Sequence, residues 1–277
     1  MKSQIRFQVK DPFDFTLADG GSRAKRRRPT KKERGRIEEA LVALGALFAN
    51  TSVRWLLDGG LNVSLLAGDL VGVHQDVDIS VHSNDLPKLE KWLKPRGFGL
   101  FVCDLQMAAN NQEFRKVMER VNARGFLRTH ADQTVLAPID KEGRFLEREK
   151  LPFIDTHILE EVARKAYLDE PDLRFPSEWI RPVPIAFRGV TINASCAARI
   201  VYYKIYGQHG EERGVDIADA QLVAKSGKMK LSDLDALEAL FSAMEVSAVA
   251  AAKRHKMRHI SDHRRIMRRL KELRNLL

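Results

Sequence analysis

The feature that most constrains this chain is one stretch, LLDGGLNVSLLAGDLVGVHQDVDISV, running from Leu56 to Val81. It begins in a short apolar run that ends at Asp58-Gly59-Gly60, the pattern of a buried strand entering a turn. LNVSLLAG then predicts a short helix stopped at Gly68. In the following VDISV, Val77, Ile79 and Val81 alternate with Asp76, Asp78 and Ser80, which is the period of a strand with one polar edge. Two aspartates at i and i+2 on a strand project from the same face, so their carboxylates can approach the same divalent cations. A lone DxD also suits a solvated strand face, and a lone GG a tight turn. The order of strand, GG, short helix, loop and DxD strand is what points to chemistry.

Around this stretch the chain alternates. Ile37, Leu41, Leu44 and Phe48 recur at helical spacing between Glu33 and about Ala49. Asn84 or Asp85 is placed to cap a helix running to about Leu93. GFGLFVC, FLRTH, QTVLAP and LPFIDTHI are strand candidates, with a helix expected over Glu113–Asn122 and a hairpin or edge strand in IAFRGVTIN. After Ala194 the pattern becomes helical: ASCAARIVYYKIYG, VDIADAQLVAK, LSDLDALEALFSAMEVSAVAAAK and a basic tail. The expectation is an α/β (α+β) fold, a mixed sheet with flanking helices followed by a helical C-terminal domain. Its expected divisions are a basic arm (1–32), a core (33–193) and the helical part (194–277).

The segment from Leu56 to Val81 resembles the signature of the DNA polymerase β-type nucleotidyltransferase superfamily. Within it, the likeness is to antibiotic (aminoglycoside and lincosamide) nucleotidyltransferases and to AbiEii- or MenT-type toxin nucleotidyltransferases. Both show a GG turn and a basic residue or His two positions before the DxD, the place of His74 here. VHQDVD lacks the Arg and Thr often found in the toxin group, a departure that leans toward the antibiotic enzymes. A second similarity lies in ARIVYYKIYGQHGEERGVDIADAQLV, which resembles a toxin-group helix carrying a phosphate-contacting lysine.

The resemblance implies an Mg2+-dependent transfer of a nucleoside monophosphate from an NTP to an acceptor hydroxyl. Asp76 and Asp78 would hold Mg2+, and Gly59 and Gly60 would seat the triphosphate. Lys204 would contact phosphate, with Arg213 the basic residue and Asp216 and Asp219 the acidic pair. The residues themselves leave a second role open for Lys204, because an ammonium in an apolar helix needs a counter-charge that Asp216 could supply in a structural pair. The superfamily's third carboxylate, a metal ligand or general base, is assigned to Asp155, since a charge inside the apolar run LPFIDTHIL needs a reason. Glu160 and Asp140 are poorer competitors.

Composition enters through charge. The formal net charge is +10, concentrated in RAKRRRPTKKERGR (23–36) and in the tail from Lys253. Such blocks suit sequence-blind contact with phosphate backbones, and make RNA, a tRNA end for example, the expected acceptor. A toxin of this kind would pair with an antitoxin protein. An antibiotic nucleotidyltransferase is the alternative, and a non-catalytic nucleic-acid-binding protein of the same fold a third reading. His255, His259 and His263 stand at i, i+4 and i+8, but among so many cations they read as a solvated basic face. Only Cys103 and Cys196 are present, which suits a reducing cytoplasm and argues against disulfide or multi-cysteine zinc frameworks. No apolar run approaches the roughly 20 residues of a membrane span.

Overall fold

A computed structural model describes residues 28–71, 77–103, 133–146, 154–159, 161–162, 165–166, 175–206, 214–254 and 262–277. FLRTH, Glu113–Asn122, Glu160, Arg213, His255 and His259 lie outside them. The described residues fall into two compact units. The first comprises those up to Leu61, Leu70–Leu159 and Pro184–Asn193; the second comprises Asn62–Asp69, the described residues of Glu160–Val183, and Ala194–Leu277. No helix among them is long and apolar enough to cross a membrane.

The first unit is built on a seven-stranded mixed sheet. Its strands are β1 (Trp55–Leu57), β2 (Asp78–His82), β3 (Phe98–Cys103), β4 (Gln133–Pro138), β5 (Ile154–Leu159), β8 (Val183–Phe187) and β9 (Val190–Ala194). They lie in the order β3-β4-β5-β2-β1-β9-β8. β2 pairs in parallel with β5 and antiparallel with β1, while β4 is antiparallel to both β3 and β5. The expected hairpin at IAFRGVTIN forms the β8 edge. Its two turn residues, Arg188 and Gly189, both have positive φ (44° and 85°), the backbone that two-residue hairpin turns require.

Helix α1 (Lys31–Leu47) starts at a capping box, in which the Glu33 N–H donates to Thr30 Oγ1 (3.3 Å) and the Thr30 N–H to Glu33 Oε2 (2.7 Å). The periodic set Ile37, Leu41, Leu44 and Phe48 is buried as expected. At Gly45 a Cβ would stand 2.7 Å from Val190 Cγ2, so a glycine there lets α1 approach β9. Helix α2 (Gly59–Ala67) follows β1 with Asp58 alone between them, and α3 (Leu86–Leu93) buries Leu89 and Leu93.

One local expectation changes. Asp85 precedes α3 but its side chain makes no cap; its oxygens accept instead from the Arg54 N–H (3.0 Å), Arg54 Nε (2.8 Å) and Lys88 Nζ (2.9 Å). A charged guanidinium and ammonium outbid the helix's own amides for that carboxylate. Trp92 on α3 is half-buried, with its indole N–H donating to Leu47 O (2.9 Å) and the Arg96 guanidinium 3.5 Å above its ring.

The second unit is mainly helical, with a small two-stranded ladder of β6 (Glu161–Val162) and β7 (Lys165–Ala166). Helix α4 (Ala197–Tyr206) packs against α5 (Gly214–Lys225), α6 (Leu231–Arg254) and α7 (His263–Arg274). Tyr202 stacks on Tyr206 and Phe241 and meets Phe175 edge-on. Arg199 is wholly buried, donating to Ser195 Oγ (2.9 Å) and lying over the rings of Phe175 and Tyr203. Nothing in the periodicity of α4 singles out that arginine. α7 buries Ile266, Leu270 and Leu273, so the basic tail is an amphipathic helix seated on its apolar stripe.

Candidate functional site

The site is assembled by three strands of the first unit. β1 is buried throughout and places Asp58 at its exit. The Asp58 N–H donates to Asp78 O (2.9 Å), and its carboxylate accepts from the Ser80 hydroxyl. Both bonds fasten the turn to β2. Ser80, on the polar edge of the alternation, is fully buried by this contact. Gly59 then adopts φ +62°, and a Cβ built on it would collide with the Asp78 carboxylate, reaching 2.8 Å from Cγ. The glycine is therefore required twice, for its backbone and for the space its hydrogen leaves. With Gly60 it forms the first turn of α2, where main-chain N–H groups have no partner inside the helix.

In the parallel β2–β5 pair, Asp78 stands opposite Asp155, and the Asp155 N–H donates to Val77 O (2.9 Å). The register alone thus brings two carboxylates together from distant parts of the chain. Asp155 is buried and Asp78 half-buried. Asp76 lies outside the described residues. Two residues beyond Asp155, on the same face of β5, His157 reaches Asp78: Nε2 lies 3.8 Å from Asp78 Oδ1. Burial alone would lower the His157 pKa, but the Asp78 contact and the charges of Asp155, Asp78 and Asp58 together raise it to about 9.

One ligand atom from each of Asp78, Asp155 and His157 falls within 4.8 Å of the others. Hard carboxylate oxygens are what Mg2+ takes from proteins, and the space kept at Gly59 leaves the Asp78 carboxylate in place. The residues present therefore fit a divalent cation, which would displace the His157 proton in binding there. The sequence alone did not single out His157 or give Asp58 and Ser80 a role. The signal for His157 was the i, i+2 alternation of IDTHI, the same rule that marks the DxD.

Lys204, Asp216 and Asp219 come together in the second unit. Lys204 Nζ lies 2.9 Å from Asp216 Oδ1 and 3.0 Å from Asp219 Oδ2, with all three side chains largely buried. Burial alone would lower the Lys204 pKa, but the charges of Asp219 and Asp216 raise it. Asp140 is engaged in its own turn, accepting from the N–H groups of Glu142 and Arg144 and from Arg144 Nε.

Residues 40–118 match the sequence model of a family described as aminoglycoside-2''-adenylyltransferase. This span holds β1, α2 and β2, hence Gly59, Gly60 and Asp78. With the mixed sheet and its paired carboxylates, the match defines the chain as a nucleotidyltransferase. Within that class, these residues resemble the aminoglycoside-2''-adenylyltransferases. The chain is also similar to three solved structures. The lincosamide antibiotic adenylyltransferase LnuA, lincomycin-bound, is 15% identical, with 71% of this chain and 98% of that chain covered and a TM-score of 0.41. The antibiotic-resistance factor ANT(2'')-Ia in solution is 11% identical, with 78% and 95% covered and a TM-score of 0.46. An antigenic nucleotidyltransferase-like protein from Paracoccidioides brasiliensis is 14% identical, with 78% and 91% covered and a TM-score of 0.39. A comparison with curated proteins gave no match.

Proposed function

We propose that this protein transfers an adenylyl group from ATP to a hydroxyl of an aminoglycoside-type antibiotic. The observation that carries the chemistry is the register that sets Asp78 against Asp155 beside the Gly59 backbone. The resemblance over residues 40–118 supports the donor and acceptor class. Asp78, Asp155 and, by its place in the sequence, Asp76 would hold Mg2+, which when bound neutralises triphosphate charge and eases ionisation of the acceptor hydroxyl. The N–H groups of the Gly59-Gly60 turn hold the phosphates. Asp155 takes the hydroxyl proton as the acceptor oxygen bonds to the α-phosphorus; the bond from that phosphorus to its bridging oxygen breaks, and pyrophosphate leaves. Asp58 and Ser80 act through Asp78 by fixing the strand that carries it. Lys204 is read as a strut: its bonds to Asp216 and Asp219 support an internal pair over a phosphate contact.

RNA is the second reading for the acceptor, favoured by the net charge of +10 and the basic helix α7. Within and beside α7, Arg265 pairs with Asp262, Arg269 with Glu272, and Arg274 with Asp235 and Glu238. The likeness over residues 40–118 favours an antibiotic acceptor over RNA and, with it, over a toxin kept in check by an antitoxin. The test is a transfer screen with α-labelled ATP, Mg2+ and aminoglycoside, lincosamide or total RNA as acceptor. Label is expected on the aminoglycoside, with Asp78→Asn slower by at least about a thousandfold. Label on RNA alone, or equal labelling by Asp78→Asn, overturns the proposal.

A further inference from the structure

His157 has no part in the adenylyl-transfer scheme above, yet it occupies a ligand position. It follows Asp155 by two residues on β5, so both side chains leave the same face of the sheet. The parallel register places it opposite Ser80, one step along from the Asp78–Asp155 pair. Its Nε2 is 3.8 Å from Asp78 Oδ1, and a donor atom from each of the three residues lies within 4.8 Å of the other two. The imidazole is 42% exposed, so a hydrated cation can reach it. A simple contact between His157 and Asp78 would account for the 3.8 Å spacing. The β2–β5 register brings Asp155 to the same place, so that three donor atoms converge there.

Donor chemistry then discriminates between metals. Mg2+ favours an all-oxygen shell and keeps much of its water. An imidazole nitrogen among the ligands favours first-row transition cations, whose affinity for nitrogen exceeds that of Mg2+. We propose that His157 is a nitrogen ligand of the cation site and biases it toward Mn2+ over Mg2+. The proposal rests on reading Asp78 and Asp155 as cation ligands, and its test separates the two ideas.

The experiment uses the full chain without nucleotide. Mn2+ and Mg2+ are titrated separately by calorimetry, and the Mn2+ complex is examined by pulsed electron paramagnetic resonance for coupling to a directly bound nitrogen. His157→Gln, His157→Ala and Asp78→Asn are measured alongside, with thermal unfolding confirming that each is folded. The expected result is nitrogen coupling in the parent protein that disappears in both His157 variants. Their preference for Mn2+ over Mg2+ should fall about tenfold, chiefly through weaker Mn2+ binding. If Mn2+ binds and Asp78→Asn abolishes it, while the His157 variants keep coupling and selectivity, the histidine proposal is overturned and the carboxylate site stands. If neither cation binds the parent protein, both ideas fall.

Discussion

Two acidic clusters in this molecule are built from similar parts and, on the proposed function, put to opposite uses. In the helical unit, Asp216 and Asp219 close on Lys204 at 2.9 and 3.0 Å, so the chain brings its own cation to the carboxylates. In the sheet unit, Asp78 and Asp155 face each other with His157 Nε2 3.8 Å from Asp78. A buried ammonium held by two carboxylates gives each charged group an opposite charge within hydrogen-bond distance and leaves little for a ligand to gain. Carboxylates whose companion is an exchangeable imidazole proton keep the capacity to take a metal. What would separate a strut from a site here is how readily the positive partner can be exchanged.

The comparison can be tested from both sides. The largest effect is expected at the strut. Lys204→Met removes the ammonium that Asp216 and Asp219 share in the interior, and should destabilise the protein by about 3 kcal/mol in urea unfolding. The KM for ATP should stay unchanged in the folded fraction. A raised KM with unaltered stability would instead make Lys204 a phosphate ligand and dissolve the contrast. At the site, Gly59→Ala forces a methyl group into the Asp78 carboxylate. Turnover should fall by about a hundredfold, given how steeply rates respond to displacements near 1 Å. A single-turnover assay at saturating ATP checks this.

The smallest effect concerns Asp85, a paired carboxylate outside both clusters. Burial alone would raise its pKa, but hydrogen bonds from Arg54 and Lys88 hold it at about 2. A folded value below the usual one means stability that is present above about pH 4 and lost as pH falls toward 2. Because Arg54 and Lys88 are partly exposed, about 1–2 kcal/mol is expected. Denaturant unfolding at pH 4, 3 and 2 should show Asp85→Asn losing less stability over this range than the parent protein.

Much of the fold was legible because period and polarity agree. The helix from Lys31, the strands β1 to β5 and the helices of the C-terminal part follow their apolar spacing. Asp155 stood out because a charge inside LPFIDTHIL is expensive without a partner, and β5 sets it in a cluster with Asp78 and His157. The nucleotidyltransferase class was legible in the GG and DxD segments. The choice of acceptor read from charge, RNA, is the less supported one. Net charge is a sum over the whole chain and does not show how its charges are placed: Arg265, Arg269 and Arg274 pair with acidic residues, some of them distant in sequence. Asp85 was read as a cap because position before a helix is local information, whereas its bonds to Arg54 depend on chain pairing 31 residues away. His157 was hidden by the same limit. Its significance comes from the strand beside it.

The parallel pairing of β2 with β5 also has a kinetic side. The chain must run from His82 back to Ile154, by way of β3 and β4, before Asp155 meets Asp78. Contacts of such wide separation close late, after the entropy of the intervening loop has been surrendered. On the proposed function, competence to bind a cation would therefore be acquired only when the middle of the sheet zips shut, and a refolding chain would stay inert until its architecture is nearly complete.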